Sequence, residues 1–185
     1  MSPLVWLRLP FSTPRWDALR EQRPPLNRLI LGVVAPLSLV PPLMLYYAGT
    51  HHGDALLAGF GDKSWRFITT ILFLAELLTF AVMGGLIHQI ANSGTHRLAL
   101  DDAYRLAALA PVPLWLSPLG LVIPSLTFNA ALALGALALS CGIVYHGLRG
   151  LGRIPEDVEA MSITYAVMAV GVMAWGLLLA MVWAF

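Results

Sequence analysis

Charge is what this chain has least of: 185 residues hold only 11 Lys or Arg and 10 Asp or Glu, while 58% are hydrophobic. Mean hydropathy is +0.76. A water-soluble domain of this size needs far more polar surface, so the soluble classes are excluded. There is one cysteine, Cys141, which rules out an intrachain disulfide framework and a Cys-x-x-Cys metal site and leaves a small apolar packing residue. The phosphate-cradling Gly-x-x-x-x-Gly-Lys, His-Glu-x-x-His and Gly-x-Ser-x-Gly patterns are missing. No enzyme activity, catalytic residue, cofactor or metal is therefore expected. A formal net charge of +1 provides no basic surplus for nucleic acid. Ten of the basic residues are Arg and one is Lys, with abundant Ala and Leu, which fits a GC-rich bacterial genome and, with the hydropathy, an expected place in the bacterial inner membrane.

What is present is long uncharged runs. Between Arg105 and Arg149 lie 43 residues without Asp, Glu, Lys or Arg. As one helix that run would reach about 64 Å, twice a ~30 Å hydrocarbon core, so it crosses the membrane twice. Ile123-Pro124-Ser125-Leu126 marks the turn, because proline lacks the N–H a continuing helix needs. Further runs lie on either side. The expected fold is all-α, a polytopic integral membrane protein with five transmembrane helices near residues 29–48, 66–90, 103–123, 125–147 and 160–184. Pro36, Pro41 and Pro42 should kink or break span one, and Pro111, Pro113 and Pro118 crowd span three.

Residues 1–28 hold five of the 13 prolines and five of the basic residues, and are expected as a cytoplasmic amphipathic segment ahead of the bundle at 29–185. Leu4 to Phe11 is interrupted by Arg8 and Pro10 and does not read as a cleaved signal. Thr13-Pro14 predicts a helix from about Pro14 to Arg23, with Trp16 and Leu19 on one side. That makes a short interfacial helix lying on the membrane, or else a proline-rich tail with topogenic arginines. The loop from Gly49 to Trp65 carries adjacent His51 and His52, which read as solvated.

Phasing at 100° per residue points Thr69, Glu76, Thr79 and Met83 inward from span two, and Asn129, Ala133, Ala136, Ser140 and Gly147 from span four. In span five the small-residue stripe is Ser162, Ala169, Gly176 and Ala180, also expected to face protein. Glu76, Asn129 and Ser140 are thus the candidate intramembrane polar residues. A mid-membrane carboxyl is costly, so Glu76 should face inward, neutral or bonded to Ser140 or Thr79, as a proton or cation site or as a packing group.

Five-span threading gathers His88, Asp101, Asp102, Tyr104, Arg105, Tyr145, His146, Arg149 and Asp157 at one interface. Asp101 and Asp102 can cap span three, and Arg149 suits the C-terminal end of span four. Alternatively Asp102, Tyr104, Arg105, Tyr145 and Arg149 form a polar pocket for a partner segment or lipid headgroup.

Residues 101–185 resemble the Yip domain family, the Ypt-interacting five-span membrane proteins and their bacterial relatives. The likeness rests on Ala103-Tyr104, Ala110-Pro111-Val112-Pro113-Leu114-Trp115-Leu116, Ile123-Pro124, Tyr145-His146-Gly147-Leu148, Ile154-Pro155-Glu156-Asp157 and Tyr165. Pro14-Arg15-Trp16 agrees in outline. The resemblance implies a five-helix fold with a cytoplasmic N-terminus and an external C-terminus. Eukaryotic relatives are tied to small GTPases. Only about 28 residues precede span one here, without the long acidic domain of those relatives, which argues against a GTPase partner. The expected function is a membrane scaffold or adaptor assembling with other membrane proteins, with itself or with lipids. The alternatives are a transporter or permease component using Glu76, and a haem or metal subunit using His88 and His146.

Nine basic residues (Arg8, Arg15, Arg20, Arg23, Arg28, Arg97, Arg105, Arg149, Arg153) fall on one side of the five spans and Lys63 and Arg66 on the other, which makes the first side cytoplasmic. Reporter fusions after Ser93 and Gly152 should read cytoplasmic and those after Asp62 and Phe185 external. An external Gly152 would break the five-span threading.

Overall fold

A computed structural model of the chain describes residues 10–56, 58–94 and 97–184. Arg8, most of the apolar piece at 4–11, and Phe185 lie outside the described residues. The helices are α1 (Thr13–Gln22), α2 (Leu26–Leu29), α3 (Ala35–Leu37), α4 (Val40–Leu56), α5 (Trp65–Ala91), α6 (Leu100–Leu109), α7 (Val112–Leu116), α8 (Leu126–Leu151) and α9 (Asp157–Ala184). The chain is all-helical, with five stretches long and apolar enough to cross a membrane: Leu26–Ala55, Trp65–Ala91, Leu100–Val122, Leu126–Leu151 and Asp157–Ala180. Only 17 to 33% of each apolar window is buried inside the chain, so lipid or other proteins must cover the remainder.

The two proline-rich spans bend in different ways. In the first, Pro36 has no N–H for the Gly32 carbonyl, and the turn before it, Ile30–Val34, widens into a π-helix. Ser38 is buried and its hydroxyl donates to Ala35 O at 3.2 Å, after which Pro41 and Pro42 lie in the first turn of α4. That helix continues to Leu56, so His51 and His52 sit on a helix and not in the expected loop. In span three α6 ends at Leu109, just before Pro111, and the chain tightens to a 3₁₀-helix over Ser117–Val122.

The uncharged turn after it is closed by side chains. Ser125 Oγ accepts from Phe128 N at 3.3 Å, and Asn129 Nδ2 donates to Ile123 O at 2.9 Å and to Ser125 O at 2.8 Å. Asn129, in the first turn of α8, therefore braces the hairpin tip.

Helices α5, α6, α8 and α9 close a ring in which α5 and α8 each touch both α6 and α9. The first span packs in part on α5 and in greater part on the third span, with Leu29 and Val34 against Ala108 and Trp115, and α1 packs on α8. One end of the bundle, the base, collects α1, the described parts of the connection at 92–94 and 97–99, and the 152–156 corner. Its core is Leu106, Ile143, Val144, Leu148, Ile154, Ala160, Ile163 and Val167. At the opposite end Trp65, Ile68 and Val182 cluster, and Lys63 Nζ donates to Val182 O and Trp183 O, both at 3.1 Å. Alternate connections thus lie at opposite ends, as five crossings require.

Two orientations differ from expectation. The stripe Ser162, Ala169, Gly176 and Ala180 of α9 is exposed, and α9 buries Ala160, Ile163, Thr164 and Val167 instead. In lipid the outward side of a helix needs no polar cover, so small residues do not by themselves mark the protein-facing side. The α8 stripe does face inward, with Ala136, Ser140 and Gly147 buried.

The second difference is α1. Trp16 and Leu19, the side expected against lipid, are 0% and 2% exposed, packed into the bundle. Glycines of α8 make the room. A Cβ at Gly147 would stand 3.2 Å from the Trp16 ring and 2.5 Å from Leu106 Cδ1, and one at Gly150 would stand 2.4 Å from Trp16 Cβ. Thr13 Oγ1 meets His146 Nδ1 at 2.8 Å, and Pro10 crosses at Gly142. Trp16→Ala should cost about 3 kcal/mol of stability. Gly150→Ala should loosen α1 by about 1–3 kcal/mol through overpacking. Trypsin cleavage after Arg20 in detergent would then accelerate, and unchanged resistance in both variants would show that α1 is not anchored by this contact.

Candidate functional site

The base of the bundle is where ionisable and aromatic side chains accumulate, and the fold sorts them into separate groups. The first is the pair Asp102–Arg105 in the opening turns of α6, N–O distance 2.6 Å, with both residues buried at 6% and 7% exposure. Arg105 Nε also donates to Pro24 O at 3.3 Å, tying α6 to the chain between α1 and α2. This carbonyl becomes available because Arg23 ends α1 in the left-handed region (φ 37°) just before Pro24-Pro25.

The second group joins α8 to α9. Arg149 donates to Asp157 Oδ1 at 2.5 Å and to Tyr145 Oη at 3.1 Å, and Tyr145 Oη donates to the same carboxylate at 3.0 Å. Asp157 opens α9, where negative charge is favoured. This triad is partly exposed, unlike the Asp102–Arg105 pair.

The remaining candidates go elsewhere. Tyr104 turns to α5, donating to Ala81 O at 3.1 Å and lying over Gly84, where a Cβ would come within 2.2 Å of its ring. His146 meets Thr13 of α1, whereas the His88 Nδ1 lies 3.0 Å from Leu98 O. Asp101 is exposed in the first turn of α6. The single pocket of Asp102, Tyr104, Arg105, Tyr145 and Arg149 therefore does not form: the five residues meet three different sets of partners. The two histidines offered as ligands are each engaged in the fold, and among the described residues no three His, Cys, Asp or Glu side chains group to hold a metal.

Within the span, Glu76 lies on the inward stripe of α5, with Ile68 and Leu72 above and Ile87 below. Its Oε2 is buried with no hydrogen-bond partner among the described residues, and the same holds for Ser140 Oγ. Neither expected partner serves, because Thr79 Oγ1 donates to Ala75 O of its own helix at 2.8 Å.

Asn92 is a residue that periodicity did not single out. Its Nδ2 donates to His88 O at 2.8 Å and Leu98 O at 3.0 Å, its Oδ1 accepts from Leu98 N at 2.9 Å, and Arg97 donates to its carbonyl at 2.9 Å. An Asn just past the last apolar turn of a helix is a C-cap signal that could have located it.

Alternating connections, five apolar helices and a base of internally paired charges define a five-span helical integral membrane protein. Residues 9–178 match the family model of the Yip1 domain, and the chain belongs to that family. Neither the curated proteins nor the solved structures provide a match.

Removing one partner of the buried pair leaves a desolvated charge, so Asp102→Ala and Arg105→Ala should each lower stability by about 3 kcal/mol. Asp157→Ala, at an exposed pair, should melt close to wild type. Thermal melting in detergent separates the two groups, and equal losses at Asp102 and Asp157 would contradict the assignment.

Proposed function

We propose that this chain is a membrane scaffold or adaptor that acts by lateral assembly with other membrane proteins, without enzymatic chemistry of its own. The observation that carries the reading is the outward side of α9. Ser162, Ala169, Gly176 and Ala180 are all exposed there, beside exposed Val172, Met173, Trp175 and Leu177. Small residues let a second helix approach closely in lipid, where packing drives association. The base supports the same reading, since its charges are taken up in two separate groups, Asp102 with Arg105 and Tyr145 with Arg149 and Asp157. On the nine-to-two distribution of basic residues, the base faces the cytoplasm, and the Arg-, Ala- and Leu-rich composition supports a bacterial inner membrane as its place. A photo-crosslinking residue in place of Met173 should yield discrete protein adducts in intact membranes, and the same residue at Leu74 on α5 far fewer. Lipid adducts alone at both positions would overturn the assembly.

A second reading, a transporter or permease component, is favoured by the unpartnered Oε2 of Glu76 alone. Glu76→Gln keeps one hydrogen-bonding group and should accumulate like wild type, while Glu76→Lys should be depleted by the cost of a buried cation. Normal accumulation of Glu76→Gln together with loss of a measurable flux would favour transport over assembly.

A further inference from the structure

We propose that the outer side of α5 at the base of the bundle binds one anionic phospholipid from the adjoining leaflet. The site is independent of the scaffold reading and needs only that the chain is embedded in a bilayer.

Two depressions meet there. One, of about 620 Å³, is lined by Val82, Gly85, Leu86, His88, Gln89 and Asn92. The other, of about 430 Å³, is lined by His88, Asn92, Arg97, Leu98 and Ala99. They share His88 and Asn92, so together they form one groove. From Val82 to Asn92 the helix rises roughly 15 Å, which is half of a ~30 Å hydrocarbon core and so the depth of one leaflet. Polarity is graded along it. The deep end is Val82, Gly85 and Leu86, and the shallow end is His88, Gln89, Asn92 and Arg97.

Gly85 opens the floor. A Cβ at this position would meet nothing within 4 Å, whereas the neighbouring Gly84 is filled by Tyr104. The two adjacent glycines thus do different things: Gly84 admits a side chain of the bundle, and Gly85 leaves a notch on the lipid side.

Charge favours an anionic head. Among the described residues no carboxylate lines either depression, and the one that approaches the same connection, Glu159 of α9, has its Oε1 against Gly94 just past Asn92. Arg97 is exposed and directs one N–H to Asn92 O, and a guanidinium has five donors in a fork suited to phosphate oxygens. The negative end of α5 is muted, because His88 O accepts from Asn92 N and Nδ2, and Ile90 O accepts from Ser93 N and Oγ. Depth decides between a lipid and a peptide. An extended peptide laid along Val82–Leu86 would hold unpaired backbone groups in hydrocarbon, while an acyl chain has none to satisfy.

The test uses the full chain in mild detergent, with bound lipid counted by native mass spectrometry against added phosphatidylglycerol, phosphatidylcholine or inorganic phosphate. Wild type should retain one phosphatidylglycerol in preference to phosphatidylcholine. Gly85→Leu fills an open notch on a helix and should keep its melting temperature while losing about tenfold in phosphatidylglycerol affinity. Gln89→Glu, at an exposed position, sets an anion against the headgroup and should give the same selective loss without touching the acyl end. Phosphatidylglycerol bound equally by wild type and both variants would overturn the site. So would equal retention of phosphatidylcholine by wild type, or millimolar inorganic phosphate displacing the lipid from wild type and binding Gly85→Leu undiminished, which is the behaviour of a free-anion site.

Discussion

A chain that crosses hydrocarbon must close its own backbone hydrogen bonds, and the rest of this structure follows from how the prolines of the first and third spans are accommodated within that constraint. Each proline inside a span leaves a carbonyl without its usual donor. The first span widens to a π-turn before Pro36, the third narrows to a 3₁₀-helix around Pro118, and the hairpin tip hands two carbonyls to the amide of Asn129. These repairs shorten or bend the two spans. The straight helices α5, α8 and α9 have no proline within them, and they carry most of the ring that packs the base.

At that base the same logic applies to charge. Asp102 and Arg105 are both buried, and such a pair survives desolvation only when its geometry is good and its remaining donors are satisfied. The Pro24 carbonyl meets part of that demand, and it is presented there because α1 ends in a left-handed residue and α2 begins after two prolines. The pair therefore does more than neutralise itself: it fixes the entry of the first span against the third. The exposed Tyr145–Arg149–Asp157 triad does the corresponding work between the fourth and fifth spans, more weakly because solvent reaches it.

Much of this was legible in the sequence, for reasons that are physical and local. Span positions follow from length and apolarity, so the second span, expected at 66–90, is Trp65–Ala91. The inward stripe of α8 could be read because Gly147 and Ser140 there admit neighbours. The α9 stripe, of the same composition, points outward, since periodicity identifies a face but not what covers it in a solvent as apolar as the core. Trp16 was equally ambiguous, because an aromatic residue on a basic amphipathic helix suits lipid and protein alike. What decides between them is Gly147 and Gly150, more than a hundred residues away, a long-range complementarity that no local pattern records. The division of the base cluster was hidden for a related reason: threading brings residues to one interface, but rotation about each helix axis decides which of them touch.

The docking of α1 changes what the base can present to a partner. Pro10 at Gly142 and Trp16 at Gly150 lie eight residues apart along α8, so the N-terminal segment descends roughly 12 Å along that helix instead of lying across its end. A tail free to fold onto a partner would carry its own ordering cost into that association, whereas one already seated on α8 does not. Its outward residues Asp17 and Glu21 are exposed, as is Arg153 beyond α8, so this end carries a charged rim. Any assembly through this end must accept that rim as a fixed shape, while assembly through the bare side of α9 meets only apolar and small side chains. The two surfaces therefore differ in what they offer, one charge at the interface and the other close packing within the lipid.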